Sequence, residues 1–280
     1  MSLIEKPYRV VIFLILAVIG GMAAQPGLAG ETITLGGNGG ALGTMKRLGS
    51  AFEQSHPGYT VVVLPSLGTS GGIKAVAKGA IDLGLSARLL SNEELKLGLA
   101  VTGYARTPLV FAVKAGHPLT GLSQDEYLRL LKGESRPGPN DQRMRPILRP
   151  VNDTETMLVG KRFPAIGAAI ERKLASPDAT VALTSQEAAD LIEKIPGAIG
   201  FSPLSLIRSE NRQVKVLPFN GVAPSAANVA NGNYPLVMDL YLVSQPNPSE
   251  RVRKFIEYVR SEPAARLLEE SGNYVVGERK

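Results

Sequence analysis

Two glycine-rich stretches, Gly36-Gly37-Asn38-Gly39-Gly40 and Gly68-Thr69-Ser70-Gly71-Gly72, each follow a short β-rich run and precede a helical pattern. In that setting a glycine loop gathers backbone N–H groups and the positive end of a helix dipole at one point, which suits an anion. Tight turns also require glycine for backbone reasons alone, so each loop by itself has two readings. Thr69 and Ser70 add hydroxyl donors to the second loop. Arg88 ends Leu85-Ser86-Ala87-Arg88 after a third strand-like run, where a guanidinium either clamps an oxyanion through two parallel hydrogen bonds or lies on a surface loop.

Other chemistries are poorly supplied. Gly36 to Gly43 lacks the Lys-Ser/Thr ending of a nucleotide phosphate loop, and no acidic residue follows at a dinucleotide-binding position. The two histidines, His56 and His117, both precede proline in predicted turns, which leaves a Ser-His-Asp triad or a His-based metal site without its parts. With no cysteine there are no disulfides, thiolate ligands, thiol nucleophiles or lipid-modified cysteine. Neighbouring carboxylates such as Glu93-Glu94 and Glu269-Glu270 have the pattern of a solvated helix face. No catalytic residue, cofactor or metal is expected, and the chain is read as a binding protein rather than an enzyme.

The elements that position these residues follow from apolar periodicity. Thr32 to Leu35 is a strand, and Leu42, Met45, Leu48 and Phe52 recur at helical spacing until His56-Pro57-Gly58 stops them. Tyr59 to Leu64, the second glycine loop, and Ile73, Val76 and Ala77 repeat the unit, and Ile81 to Ser86 makes a third strand. Strand, glycine loop and helix twice in succession argue for an α/β sheet with both loops at one edge. Ser91 to Glu94, Leu122 to Glu126 and Thr184 to Glu187 are helix caps, and Ile147 to Val151 is a strand ending at Asn152-Asp153-Thr154. Gly133 to Arg145 is a surface loop, Ile195 to Phe201 turns into a buried strand, and Pro248 to Ser271 is an amphipathic helical region. Two strongly apolar segments, Pro108 to Lys114 and Tyr234 to Val243, are the predicted crossovers between a lobe built from both chain ends and a lobe inserted between them.

Lys6 and Arg9 precede an apolar run from Val10 to Ile19, and Gly27 and Ala29 stand at the small-residue positions of a secretory cleavage site. Cleavage after Ala29 makes residues 1–29 a signal peptide, with an uncleaved anchor as the alternative. About 250 residues then remain, enough for one large or two medium domains. The net charge of +6 is spread along the chain, which favours anions in general over a nucleic-acid arm. Aromatic residues at 5% and the absence of Trp leave little for stacking bases or sugars.

Leu35-Gly36-Gly37-Asn38-Gly39-Gly40-Ala41, Gly68-Thr69-Ser70-Gly71-Gly72-Ile73-Lys74, Ile81 to Arg88 and Pro196-Gly197-Ala198-Ile199-Gly200-Phe201 resemble, in order, the phosphate-type periplasmic binding proteins of ABC importers. Gly121-Leu122-Ser123 to Lys132-Gly133 and Asn233-Tyr234-Pro235-Leu236 extend the resemblance over the whole mature chain. It implies a type II periplasmic-binding-protein-like fold: an α/β chain of two lobes, each a mixed sheet flanked by helices, joined by two crossover strands. Residues 30–108 and 239–280 would form the first lobe and residues 109–238 the second.

The resemblance also implies ligand-binding roles for Gly40, Ala41, Ser70, Gly71, Ser86 and Arg88 in the first lobe, and for Arg149, Asp153 and Thr154 in the second. Ser86-Ala87-Arg88 matches the family variant with Ser and Arg rather than the one with an Asp that accepts the proton of hydrogen phosphate. Asn152-Asp153-Thr154-Glu155-Thr156 replaces the family's Gly-Ser-Gly-Thr pattern, and carboxylates beside a dianion repel it unless they point away or pair with Arg149. The implied partners are inorganic phosphate or another oxyanion and an ABC permease in the inner membrane, with no nucleic acid. The implied state is a periplasmic monomer. The alternative is a sensor or interaction module that has lost or changed the phosphate site.

Overall fold

A computed structural model describes residues 30–134 and 143–275. The expected signal segment and most of the expected 133–145 loop lie outside those residues. Chain order begins β1 (Glu31–Gly37), a 3-10 turn (Gly39–Ala41), α1 (Leu42–Ser55), β2 (Tyr59–Val63), α2 (Gly68–Ala77), β3 (Leu83–Ser86), α3 (Asn92–Leu95) and β4 (Ala100–Lys114). There follow α4 (Gln124–Leu131), β5 (Arg145–Leu148), α5 (Thr154–Arg162), α6 (Pro164–Leu174), β6 (Thr180–Val181), α7 (Ser185–Lys194), β7 (Ala198–Pro203), α8 (Leu204–Ser209) and β8 (Val214–Leu217). The chain closes with α9 (Ala226–Ala230), β9 (Val237–Ser244), α10 (Glu250–Val259), α11 (Glu262–Glu270) and β10 (Tyr274–Val275).

The strands run in the order β2-β1-β3-β9-β4-β7-β5-β6, with β8 and β10 also pairing β4. Parallel β2, β1 and β3 form the first lobe's sheet, and antiparallel β9 and the first half of β4 complete it. At Pro108 the strand still faces Val237 of β9, whereas at Leu109 it faces Pro203 of β7. The fifteen-residue β4 therefore belongs to both lobes and joins their sheets. In the second lobe β7 is antiparallel to β4 and parallel to β5, which is parallel to β6. This is the mixed α/β, two-lobed architecture expected of the chain.

Local chemistry explains most boundaries. Ser91 with Glu94 and Ser123 with Glu126 form reciprocal capping boxes, and Thr184 caps α7 through the Glu187 N–H. The C-terminal helical region divides at Arg260-Ser261, where Pro263 suits the first turn of a new helix and not the interior of an old one. Two expectations change. Gly68 to Gly72 is the first turn of α2 rather than a loop ahead of it. A side chain at Gly72 would stand 2.8 Å from the Gly36 carbonyl oxygen, so this glycine permits α2 to lie directly on β1. Strand β5 stops at Leu148 and not at Val151, because Pro150 supplies no ladder donor and Asp153 already caps α5.

One hydrophobic core runs through both lobes, from Ile33, Leu83 and Phe52 to Phe111, Phe201 and Ile170. At the junction, Thr107 Oγ1 in β4 donates to the Gly272 carbonyl at 2.9 Å and accepts the Ser205 N–H at 3.1 Å. Ser205 Oγ in turn donates to the Gly40 carbonyl at 2.7 Å. This buried chain of hydrogen bonds ties the crossover strand to a first-lobe glycine turn and to α8.

Candidate functional site

The carboxyl ends of β1 and β3 and the N-terminus of α2 meet at one edge of the first lobe. Thr69, Ser70 and Gly71 lie in the first turn of α2, where backbone N–H groups have no intrahelical partner. Thr69 Oγ1 accepts the Ala87 N–H at 3.3 Å, which pins the end of β3 to this helix. Ser86 is buried, and its hydroxyl donates to the Arg88 carbonyl at 2.5 Å and accepts the Arg88 N–H at 3.3 Å. Arg88 turns back across the edge and donates to exposed Ser70 Oγ at 2.9 Å. That bond leaves the Ser70 hydroxyl proton free to be donated outward.

Arg88 also donates to the Leu89 carbonyl at 2.9 Å, and its two terminal nitrogens reach Glu94 at 2.6 and 2.9 Å in a bidentate pair. The hydrogen bond from Arg88 holds the Glu94 carboxyl at about 2, well below its ordinary 4.5, and the Ser91 N–H adds to the effect. Glu94 is thus no member of a solvated face. The capping box of α3 brings it onto the one guanidinium that sequence placed at this edge.

The first glycine turn has a different neighbourhood. Gly40 and Ala41 are buried, and the Gly39 carbonyl accepts Gln186 Nε2 at 2.8 Å from the start of α7. A side chain at Gly39 would stand 2.6 Å from Gln186 Oε1 and 3.2 Å from Ser185 Oγ, and one at Gly40 would meet Pro203 at 2.6 Å. Gly40 and Ala41 therefore stand at the seam between the lobes, against the second lobe's own side chains.

Arg149 follows β5, and Asp153 caps α5 by accepting the Glu155 N–H at 3.0 Å. Arg149 Nη2 donates to the other Asp153 oxygen at 2.5 Å, and Arg149 Nε lies 3.9 Å from Glu155 Oε2. Ser185 Oγ, in the first turn of α7, donates to Glu155 Oε1 at 2.5 Å. Thr154 is half-buried in the first turn of α5. Burial opposes the charge of Arg149, yet Glu155 and Asp153 together raise its pKa. Burial first, and then the Asp153 charge, push Glu155 up to about 7, with Arg149 and the Ser185 hydroxyl pulling in the other direction.

The nine residues expected from the sequence thus fall into three groups. Ser70, Gly71, Ser86 and Arg88 gather at the first lobe's edge; Arg149 and Asp153 gather with Glu155 at the α5 N-terminus, where Thr154 lies, and Gly40 and Ala41 stand at the seam against Pro203 and α7. Among the described residues no hydrogen bond or ion pair links Arg88 to Arg149. Sequence reasoning did not select Glu94, Ser185, Gln186 or Ser205. Glu94 and Ser185 carried a capping signal, and Ser205 carried none.

The two-lobed mixed sheet shares strand β4, with the α2 N-terminus at the first lobe's edge and the α5 and α7 N-termini in the second lobe. Residues 23–263 match the profile of the PBP superfamily domain, and the chain belongs to that family. It is 22% identical to the phosphate-binding protein PstS of Bacillus subtilis over 293 aligned positions, covering 96% of this chain and 94% of that one. A phosphate ABC transporter substrate-binding protein from Clostridium perfringens, solved with bound phosphate, superposes with a TM-score of 0.76 at 18% identity, covering 88% of this chain and all of the other. The periplasmic molybdate-binding protein of Azotobacter vinelandii does so with a TM-score of 0.63, also at 18% identity, covering 88% of this chain and 100% of that one.

Proposed function

We propose that this chain is an exported solute-binding protein, not an enzyme, that closes its two lobes on a small oxyanion and delivers it to an importer in the membrane. Phosphate is the first candidate. The observation that carries this reading is the first-lobe edge, where the α2 N-terminus and Ser70 meet Arg88, which donates to Ser70 Oγ. The α5 and α7 N-termini add the positive ends of two helix dipoles from the second lobe. The relationship to a phosphate-binding protein along nearly the whole chain supports the same ligand class. Isothermal titration of residues 30–280 with phosphate, sulfate, molybdate and tungstate tests it. Heat and a thermal shift with at least one oxyanion are expected, and neither with any of them ends the proposal.

A second reading has its own observation: both candidate arginines are already paired, Arg88 with Glu94 and Arg149 with Asp153 and Glu155. A chain of this kind would serve as a sensor or interaction module with a changed site. On that reading, replacing Asn152 to Glu155 by Gly-Ser-Gly-Thr confers phosphate binding that the native chain lacks.

A further inference from the structure

Exposed aliphatic side chains concentrate where the candidate anion-binding groups stand. Among the described residues eight large apolar side chains are exposed, and five of them flank the candidate site. Leu67, the residue before α2, donates its N–H to the Gly37 carbonyl at 3.1 Å, and a side chain at Gly71 would stand 3.2 Å from its Cβ. Leu89 accepts Arg88 Nη1 on its carbonyl at 2.9 Å. In the second lobe Val151 lies in the turn that the Asp153 N–H closes on the Pro150 carbonyl at 3.0 Å, and the Met157 N–H reaches the Asp153 carbonyl at 2.9 Å. Leu183 stands two positions before Ser185, the residue bonded to Glu155, and its own N–H is held by Glu187 Oε2 at 2.7 Å. Exposure among the five runs from 42% at Leu67 to 72% at Leu183. Single exposed aliphatics are ordinary, but their gathering around polar groups on both lobes marks a binding surface.

Charge limits what the polar groups can hold. Arg88 is paired with one carboxylate, Glu94, and Arg149 faces two, Asp153 at 2.5 Å and Glu155 at 3.9 Å. Neither group therefore has side-chain positive charge to spare. What remains for an anion is the N–H groups and dipole ends of α2, α5 and α7, each end equivalent to about half a positive charge. That potential matches one negative charge better than two. A bare oxyanion would also leave the five aliphatic side chains uncovered when the lobes close on it. Esterifying two oxygens of a phosphate removes its second charge and supplies aliphatic arms at the same time.

We infer that this cleft takes a singly charged oxyanion carrying aliphatic substituents, of which a dialkyl phosphate diester is the type, in preference to inorganic phosphate. The charged head lies against Ser70 and the first turn of α2. The substituents cover Leu67 and Leu89 on one side and Val151, Met157 and Leu183 on the other. The inference rests on the oxyanion reading of the cleft and narrows its ligand class. A protein docking on the same rim is the competing occupant, which would use the aliphatic side chains without any dependence on a ligand's alkyl arms.

Titration calorimetry of residues 30–280 at pH 8 with inorganic phosphate, sulfate, diethyl phosphate and dibutyl phosphate tests this. Affinity should rise from inorganic phosphate through diethyl to dibutyl phosphate, the last binding about tenfold or more tightly than the first, as burial of the alkyl arms requires. Leu89→Ser and Leu183→Ser, both at exposed positions outside the core, should each lower the ratio of dibutyl phosphate to inorganic phosphate affinity by about threefold or more. Inorganic phosphate or sulfate binding as tightly as dibutyl phosphate, or more tightly, overturns the inference and leaves the oxyanion function intact. A ratio unchanged in both folded serine variants overturns it too and assigns the rim to a docking partner. No binding of any of the four anions removes the oxyanion reading itself and this inference with it.

Discussion

Each candidate guanidinium is held by carboxylates, and the two pairings differ in consequence. Arg88 and Glu94 are partly open to solvent, so their pair contributes little to stability and chiefly fixes the direction in which Arg88 reaches Ser70. Glu155 is fully buried with half of its carboxyl unmatched. Its folded-state pKa, about 7, lies above the ordinary 4.5, so the native chain holds that proton more tightly than the unfolded one. The associated stability is fully present below about pH 4.5 and is lost as pH rises through about 7. Glu155→Gln should therefore stabilise the ligand-free protein at pH 8 by about 1–3 kcal/mol, with the gain vanishing by about pH 4.5. Thermal melts of both proteins across that range check the sign; an equal gain at every pH contradicts it.

At the scale of elements, close backbone approach shapes the first lobe as much as anion binding could. Gly72 brings α2 onto the end of β1, and Gly37, with φ of 147°, sits against the backbone of Leu85. Gly72→Ala introduces a methyl 2.8 Å from both the Gly36 oxygen and the Gly37 Cα, neither of which can step aside as a side chain would. It should cost about 1–3 kcal/mol in urea unfolding and weaken any ligand held by the first turn of α2. Gly79→Ala offers a contrast, because its φ of 66° penalises a side chain but nothing lies within 4 Å of it. There the cost should be backbone strain of about 1 kcal/mol, without a change in ligand affinity.

For the whole molecule, polar contacts across the seam add to the core that both lobes share. Ser205 and Gln186 of the second lobe hold the carbonyls of Gly40 and Gly39 in the first. Ser205→Ala removes a buried donor and leaves the Gly40 carbonyl without it, a loss of about 1–3 kcal/mol that falls on the closed arrangement of the lobes. In a chain that binds by closing, a smaller closed fraction raises the apparent Kd by the same factor. Ser205→Ala should therefore weaken oxyanion binding by about tenfold and enlarge the radius of gyration of the ligand-free protein in small-angle scattering. Unchanged affinity and unchanged size would separate this hydrogen bond from closure.

Short-range signals in the sequence were enough for the repeated strand and helix units, the capping residues and the two-lobed class, because periodicity, caps and glycine punctuation act over a few positions. They also brought Arg88 and Ser70 forward by residue type, whereas Arg149 and Asp153 came forward only through the family resemblance. Partners were another matter. Glu94 looks like one half of an acidic pair on a helix until the turn after β3 returns Arg88 to it across six positions. Ser205 meets Gly40 across 165 positions, and Gln186 meets Gly39 across 147, distances over which local pattern carries no information. Residue types and local spacing thus determined, from the sequence alone, the two-lobed α/β frame and the glycine-rich edge of its first sheet. Only the tertiary structure decided which of its charges are already neutralised by their neighbours and which buried atoms still lack a partner, because burial and pairing depend on contacts that the fold makes between distant parts of the chain.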